Sequence, residues 1–291
     1  MFKIAILGCE NSHADTFINF IKESYPDVEV VGVYSDEEDA NERIRNNFGI
    51  YTAKSYDEFV GKIDGLVVTA RHGDNHLKYA FPYIKSGIPM FIDKPITASE
   101  EDAITLAREC KKNGVRLTGG SCLVHSEEVR ELKGYASECE DGKLYGGFVR
   151  APLNNDAKYG GFWFYSQHLV QIMQEIFGYY PKSVMAHHAD PAYNFTVSYE
   201  GFDVFTSFVK DDYNYYACVS DSRGVKGSSI ALPISIFEEE FRQFYLLLGG
   251  GEQKQSYRDF ISTVYVISAM VRSLESGAPE AVNAPPAEEE I

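Results

Sequence analysis

Gly87-Ile88-Pro89-Met90-Phe91-Ile92-Asp93-Lys94-Pro95 is the stretch that decides how the first part of the chain folds. Gly87 closes a helical pattern over 75–86. The apolar run 90–92 that follows is too short for a helix and reads as a strand buried on both faces. It runs straight into a polar Asp93-Lys94 pair, and Pro95 fixes the loop that carries them. A lysine held at the end of a buried strand is a candidate for chemistry, because functional side chains concentrate on loops positioned by a rigid scaffold.

The same alternation extends both ways. Strands are predicted over 4–7, 28–33, 66–69, 90–92 and 115–118, with helices over 12–22, 37–48, 75–86 and 100–113. Ser12 reads as an N-cap with Asp15 three residues on, a capping box. Repeated strand-helix order implies a parallel sheet with helices on both faces. Ligands of such sheets bind at the carboxyl ends of the strands. Beyond residue 121 the pattern changes. Helices are predicted over 126–138 and 162–177, the latter led in by Gly160-Gly161, with a strand over 143–150 between them. Further strands at 194–199, 203–209 and 215–220 are separated by Glu200-Gly201, Asp211-Asp212, Arg223-Gly224 and Lys226-Gly227, which is antiparallel grammar. Helices over 238–248 and 257–275 close the fold. The expected architecture is α/β: a Rossmann-like doubly wound parallel sheet over 1–121, then an α+β domain with a mostly antiparallel open sheet over 122–282. The Pro- and Glu-rich end, 283–291, reads as disordered.

Composition bounds the function. The 291 residues are 44% hydrophobic and 24% charged, with a net charge of −16. A field of that sign disfavours nucleic acid and anionic membranes. The five cysteines, Cys9, Cys110, Cys122, Cys139 and Cys218, are odd in number and none forms a CxxC pair, so reduced thiols in a cytoplasm are expected. No apolar run has the length of a membrane span, and the N-terminus is too short an apolar run for a signal peptide. His72-x-Asp74-x-His76 invites a metal reading, but Asp74 as the cap of the helix near 75 is preferred, and no metal site is expected.

The Asp93-Lys94-Pro95 loop, followed at a distance by Gly160-Gly161 and His168, resembles the Gfo/Idh/MocA family of NAD(P)-dependent oxidoreductases over nearly the whole chain. The loop is similar to the family's Glu-Lys-Pro signature, with Asp in place of Glu. The Gly-Gly pair and His168 are similar to those at the start of the family's substrate domain. The resemblance implies hydride transfer between a nicotinamide and a carbon bearing a hydroxyl or amine, often on a sugar or cyclitol. It assigns substrate orientation and proton transfer to Lys94 and His168, places His76 near the nicotinamide, and implies a homodimer or homotetramer formed through the outer face of the C-terminal-domain sheet.

The departures from the family are specific. A GxGxxG loop would place glycines at 8, 10 and 13, but the chain reads Gly8-Cys9-Glu10-Asn11-Ser12-His13. A carboxylate about 4 Å from a phosphate charge costs roughly 4 kcal/mol at an effective dielectric near 20, or about a thousandfold in affinity. Arg71, in the Arg71-His72-Gly73 stretch that replaces the family's Thr-Pro-Asn, is expected to offset Glu10 by pairing with it or with the pyrophosphate. The helix at Ser12 still offers N–H groups to an anion. The ribose acid at the end of the second strand is replaced by Ser35, with Asp36 beside it, which favours NAD over NADP. Phe164 stands where the family often has an acid four residues before its His; Tyr165 is the proposed substitute, its phenol pKa lowered by a neighbour such as Lys94. The reading is therefore an NAD-dependent oxidoreductase acting on a sugar, polyol or related hydroxy compound. Its rivals are NAD-using lyase, hydrolase or epimerase chemistry on glycosides, and a non-catalytic sensor that kept the fold.

Overall fold

The computed structural model describes residues 1–140, 143–189 and 191–291. The chain divides into two compact units. One is Met1–Gly120 with Phe237–Phe260 and Ala287–Ile291; the other is Ser121–Ile236 with Ile261–Pro286.

The first unit is built on five parallel strands: β1 (Phe2–Leu7), β2 (Val28–Tyr34), β3 (Gly65–Val68), β4 (Met90–Asp93) and β5 (Leu117–Gly120). Their order is β2-β1-β3-β4-β5, so the chain reverses direction across the sheet between β1 and β3. The four residues of β3 and of β4 are all buried, which accounts for the unbroken apolar runs Leu66-Val67-Val68 and Met90-Phe91-Ile92. Helices α1 (Ser12–Ser24), α2 (Glu38–Phe48), α3 (Asp74–Ile84) and α4 (Glu100–Lys112) connect them. Two predicted caps are corrected. Asn11, not Ser12, caps α1, its side chain accepting from His13 N. Gly73, not Asp74, precedes α3, and Asp74 is that helix's first residue.

Helix α7 (Ile234–Leu248) contributes an aromatic layer to the core of this unit. Phe241 meets Phe17 at 5.5 Å and Phe244 meets Phe91 at 6.4 Å, while Phe17 and Phe91 meet edge-on at 5.1 Å. Each buried Phe is worth roughly 1.5–3 kcal/mol, so the Phe237–Phe260 segment, read from sequence as part of 122–282, supplies a substantial share of this unit's core. The C-terminal residues, expected to be disordered, carry a short 3-10 turn at Glu288–Glu290. Glu288 Oε2 accepts from Arg258 N at 2.9 Å, and Oε1 lies 3.6 Å from Lys111 Nζ.

The second unit is a seven-stranded sheet of order β11-β10-β6-β9-β8-β7-β12. Its strands are β6 (Leu144–Leu153), β7 (Ser183–Ala189), β8 (Ala192–Ser198), β9 (Asp203–Lys210), β10 (Tyr215–Asp221), β11 (Gly224–Ile230) and β12 (Glu280–Ala281). Among the described residues only the central β6–β9 pair is parallel, which makes the sheet mostly antiparallel as expected. Lys226-Gly227 is not a turn: it lies inside β11, with Gly227 opposite Cys218. Helix α6 (Trp163–Phe177) is buried along most of its length, and α5 (Glu127–Ser137) and α8 (Tyr257–Ser276) complete the helices. Among the described residues no helix is long and apolar enough to cross a membrane.

Candidate active site

In the first unit, the candidate site residues start where β1 ends. Gly8 has φ +88°, and a Cβ there would lie 2.2 Å from Ala70 N, so loop and strand end are in backbone contact. Gly8 N donates to Tyr34 O at 2.7 Å, and Thr69 Oγ1 donates to Gly8 O at 3.0 Å, which stitches the ends of β1, β2 and β3 together. Cys9, on the same loop, is buried; desolvation and the Glu10 charge push its thiol up to about 12, so it stays protonated.

Glu10 is buried, and both its oxygens accept hydrogen bonds: Oε2 from Ser35 Oγ at 2.6 Å and Oε1 from Arg71 N at 3.0 Å. The expected coupling between positions 10 and 71 thus exists, but it runs through the Arg71 backbone amide. Ser35, the residue in the ribose-acid position, is buried and holds Glu10 with its hydroxyl while its own N donates to Asn41 Oδ1 at 2.9 Å. The carboxylate is drawn toward the end of β2. Asp36 next door accepts from Tyr34 Oη at 2.5 Å, Tyr79 Oη at 2.8 Å and Lys78 Nζ at 3.2 Å. Partial burial would raise its pKa, and these three donors hold it below the usual carboxylate range.

At the end of β4, Asp93 is fully buried and surrounded by donors. Asn11 Nδ2 reaches Oδ2 at 2.9 Å and Lys94 N reaches Oδ1 at 2.7 Å. His13 Nδ1 lies 2.9 Å from Oδ2, an ion pair whenever the imidazole is protonated. Burial favours the neutral acid, but the His13 and Lys94 charges and the backbone bond outweigh it and lower the pKa. Asn11 and His13 therefore tie the N-terminus of α1 to the lysine loop. Lys94 is 4% exposed, and its peptide bond to Pro95 is cis.

The H-x-D-x-H residues do not converge. His76 is fully buried and donates from Nε2 to Ala70 O at 2.7 Å, since a carbonyl can only accept. Burial lowers its pKa and keeps it neutral, so it acts as a strut between α3 and the end of β3 rather than as a group presented to a ligand. His72 Nδ1 accepts from Asp74 N at 3.3 Å near the surface.

The second unit carries His168 on α6. It is 4% exposed, and its Nδ1 pairs with Ser121 Oγ at 2.6 Å. Ser121 is held in turn: its N donates to Gln171 Oε1 at 2.6 Å and its Oγ accepts from Leu123 N at 3.3 Å. With Leu123 occupying one lone pair, the hydroxyl proton is available to Nδ1 when neutral His168 carries its proton on Nε2. The remaining lone pair can accept Nδ1–H from the imidazolium, so one bond serves both charge states. Tyr165 packs edge-on against the His168 ring at 4.7 Å. Burial, not a neighbouring cation, governs its phenol: the pKa is raised, opposite to the lowering expected from sequence. Tyr165 is thus a neutral donor. Phe164, in the place of the family's acid, is buried against Tyr159 at 5.0 Å.

Two residues escaped the sequence reading. Ser121 sits just after β5 and becomes visible only once the fold places it beside His168. Glu240 had a signal: it falls three residues after Phe237 and four before Phe244, on the apolar face of α7, and it is 1% exposed.

A five-stranded parallel sheet with strand-end acids, a loop crossing into a helix N-terminus and a lysine after β4 gives the first unit the architecture of a doubly wound nucleotide-binding fold. Residues 2–121 match the model of the Gfo/Idh/MocA family, described as an oxidoreductase family with an NAD-binding Rossmann fold. No curated protein matches the sequence. Among solved structures, GenD2 from gentamicin A biosynthesis, in complex with NAD, is similar at 16% identity and a TM-score of 0.82, with 97% of each chain covered. A putative myo-inositol dehydrogenase from Sinorhizobium meliloti is similar at 16% identity and 0.81, covering 97% of this chain and 100% of that one. Scyllo-inositol dehydrogenase from Lactobacillus casei, with NAD(H) and scyllo-inositol, is similar at 14% identity and 0.80, with 97% and 99% covered. At such identities the likeness establishes the fold, and it extends across both units.

Proposed function

We propose that the protein is an NAD-dependent oxidoreductase acting on a hydroxyl-bearing, carbohydrate-like substrate such as a cyclitol, sugar or polyol. The observation that carries this reading is the Asp93-Lys94 pair at the end of β4, with Asp93 gripped by Asn11 and His13 from the dinucleotide loop. Lys94 and His168 take the proton-handling roles that the family resemblance gives them, and Tyr165 donates as a neutral phenol. The similarity to inositol dehydrogenases supports the substrate class. NAD, when bound, supplies the hydride acceptor or donor.

The residues present fit that cofactor. Glu10 is the charge that threatened it, yet its carboxylate is turned to Ser35 and the Arg71 amide, on the β2 side where a ribose sits in this fold. A carboxylate has about four acceptor sites, and two are used here. Glu10 thereby replaces the missing acid at 35 as acceptor for the ribose hydroxyls, and Asp36 adds repulsion toward a 2′-phosphate. Isothermal calorimetry with NAD and NADP on wild type and Glu10→Gln tests both claims. Wild type should bind NAD more tightly than NADP, and E10Q should lose about 10- to 100-fold in NAD affinity, the worth of charged hydrogen bonds. Tighter NAD binding by E10Q would mean that Glu10 repels the pyrophosphate after all. If wild type bound neither dinucleotide, the oxidoreductase reading would fail.

Ser121→Ala should cut turnover about tenfold, as loss of a group orienting a catalytic histidine does. It should also move the pH limb assigned to His168 and leave NAD affinity unchanged. An unchanged pH profile would remove Ser121 from the mechanism. Phe148, Phe205 and Tyr216 lie on one face of the second unit's sheet, with Phe205 56% exposed, which supports self-association through that face.

A further inference from the structure

Asp36, one residue beyond the ribose-acid position, is the centre of a knot of side chains at the end of β2. Tyr34 Oη donates to its Oδ1 at 2.5 Å, while Tyr79 Oη and Lys78 Nζ donate to its Oδ2 at 2.8 and 3.2 Å. Lys78 and Tyr79 are consecutive on α3, whose start is fixed to the end of β3 by the bond from His76 to Ala70 O. Aromatic rings enclose the knot. Tyr34 meets Tyr79 edge-on at 5.7 Å, and Tyr56 meets Tyr79 at 5.5 Å. Lys78 Nζ lies 5.4 Å from the centre of the Tyr56 ring and 5.2 Å from that of Tyr79. A long, flexible lysine is thus fixed in place by one carboxylate and two rings.

Counting bonds shows what each charge has left. A carboxylate has about four acceptor sites, and Tyr34, Tyr79 and Lys78 fill most of them on Asp36. An ammonium has three N–H donors, and Asp36 engages one of those on Lys78. The others are directed away from the carboxylate and can serve a second anion. The two side chains are 45% and 47% exposed, so a solute reaches both. In doubly wound folds an acid after the second strand reads the ribose 2′-OH of NAD, and a cation nearby accommodates the 2′-phosphate of NADP. This chain carries both groups at once, bonded to each other. Opposite charges so close present little net field to an arriving anion, so the repulsion that Asp36 exerts on a 2′-phosphate is blunted by Lys78.

We propose that Lys78 is a specificity-determining residue: its bond to Asp36 sets the preference between NAD and NADP, and loss of the Asp36 charge turns the ammonium over to a 2′-phosphate. The inference rests on the dinucleotide-binding reading given above. Asp36 is then a lock on the lysine more than a ligand of the ribose. Glu10, whose oxygens each accept one bond, keeps the ribose hydroxyls. Ribose contact and selectivity are carried by separate carboxylates.

The test is calorimetry of NAD and NADP on the full chain in wild type, Asp36→Asn, Lys78→Met and the double variant. The readout is the ratio of the NADP to the NAD dissociation constant, which a general loosening of the fold leaves alone because it weakens both. Asparagine keeps an acceptor oxygen for the tyrosines, and methionine keeps the stem of a half-exposed lysine, so the variants should fold. In D36N the ratio should fall about 30-fold in favour of NADP, in the range of one charged hydrogen bond. In K78M it should rise about fivefold, the effect of a unit charge about 4 Å away in water. In D36N/K78M it should return to within about threefold of wild type, because the two effects act through one bond. A ratio unmoved by D36N, a ratio that does not rise in K78M, or a D36N gain that survives the second substitution in full each overturns the proposal; the last result would hand the phosphate to another cation such as Arg71. Should the double variant fail to fold, K78M decides alone. Wild type binding neither dinucleotide overturns the oxidoreductase reading and this inference together, whereas NAD binding with fixed ratios overturns this inference alone.

Discussion

Lys94→Met is expected to lower turnover by about 10³-fold, the middle of the range for a group that transfers a proton in the transition state, while NAD affinity stays within a few-fold of wild type. Methionine matches the length of the lysine stem and tolerates a site only 4% exposed, so the loop should keep its shape. Asp93 retains Asn11, His13 and the backbone amide of residue 94, and so remains ionised and anchored. The measurement is absorbance at 340 nm against a panel of cyclitols and sugars, paired with calorimetry for NAD. Turnover within tenfold of wild type would show that Lys94 is a structural lysine.

Gly8→Ala is expected to destabilise the first unit by about 3 kcal/mol or more, in the range of changes that combine backbone strain with overpacking. The φ of +88° is one that side chains other than glycine rarely adopt, and the new Cβ would meet Ala70 N at 2.2 Å and Ala70 Cα at 2.4 Å. Both obstacles are main-chain atoms at the end of a central region of the sheet, so neither can swing aside. Urea unfolding followed by circular dichroism should show the midpoint falling sharply, and dinucleotide affinity should fall with it because Glu10 and Asn11 leave the sheet through this turn. A stability change under about 0.5 kcal/mol, typical of a surface position, would contradict the close contact.

The strands that build the site were legible because they are buried on both faces: 66–68 and 90–92 are apolar throughout, and no competing pattern fits runs so short. The lysine loop was legible for the same reason, since a polar pair at the end of such a run has only the strand end to occupy. What was not legible depends on groups that carry no letter or on distant packing. The partner of Glu10 at position 71 is a main-chain amide, which every residue has, so the sequence pointed to the guanidinium instead. Ser121 and His168 are 47 residues apart, and nothing local marks the serine as the partner of that imidazole. Tyr165 was assigned an easily ionised phenol because a cation was assumed nearby, whereas burial dominates and moves it the other way. Glu240 carries the same letter as its two solvent-facing neighbours, and only its place in the helical period sets it among phenylalanines.

The first unit is assembled from three separate pieces of chain, with Phe237–Phe260 supplying aromatic rings to a core begun by Phe17 and Phe91. During synthesis, residues 1–120 leave the ribosome well before that piece exists, since the whole of Ser121–Ile236 must be translated first. Until then the nascent sheet lacks the rings of Phe241 and Phe244 that pack on Phe17 and Phe91. Partly made chains would be the form in greatest need of chaperone protection.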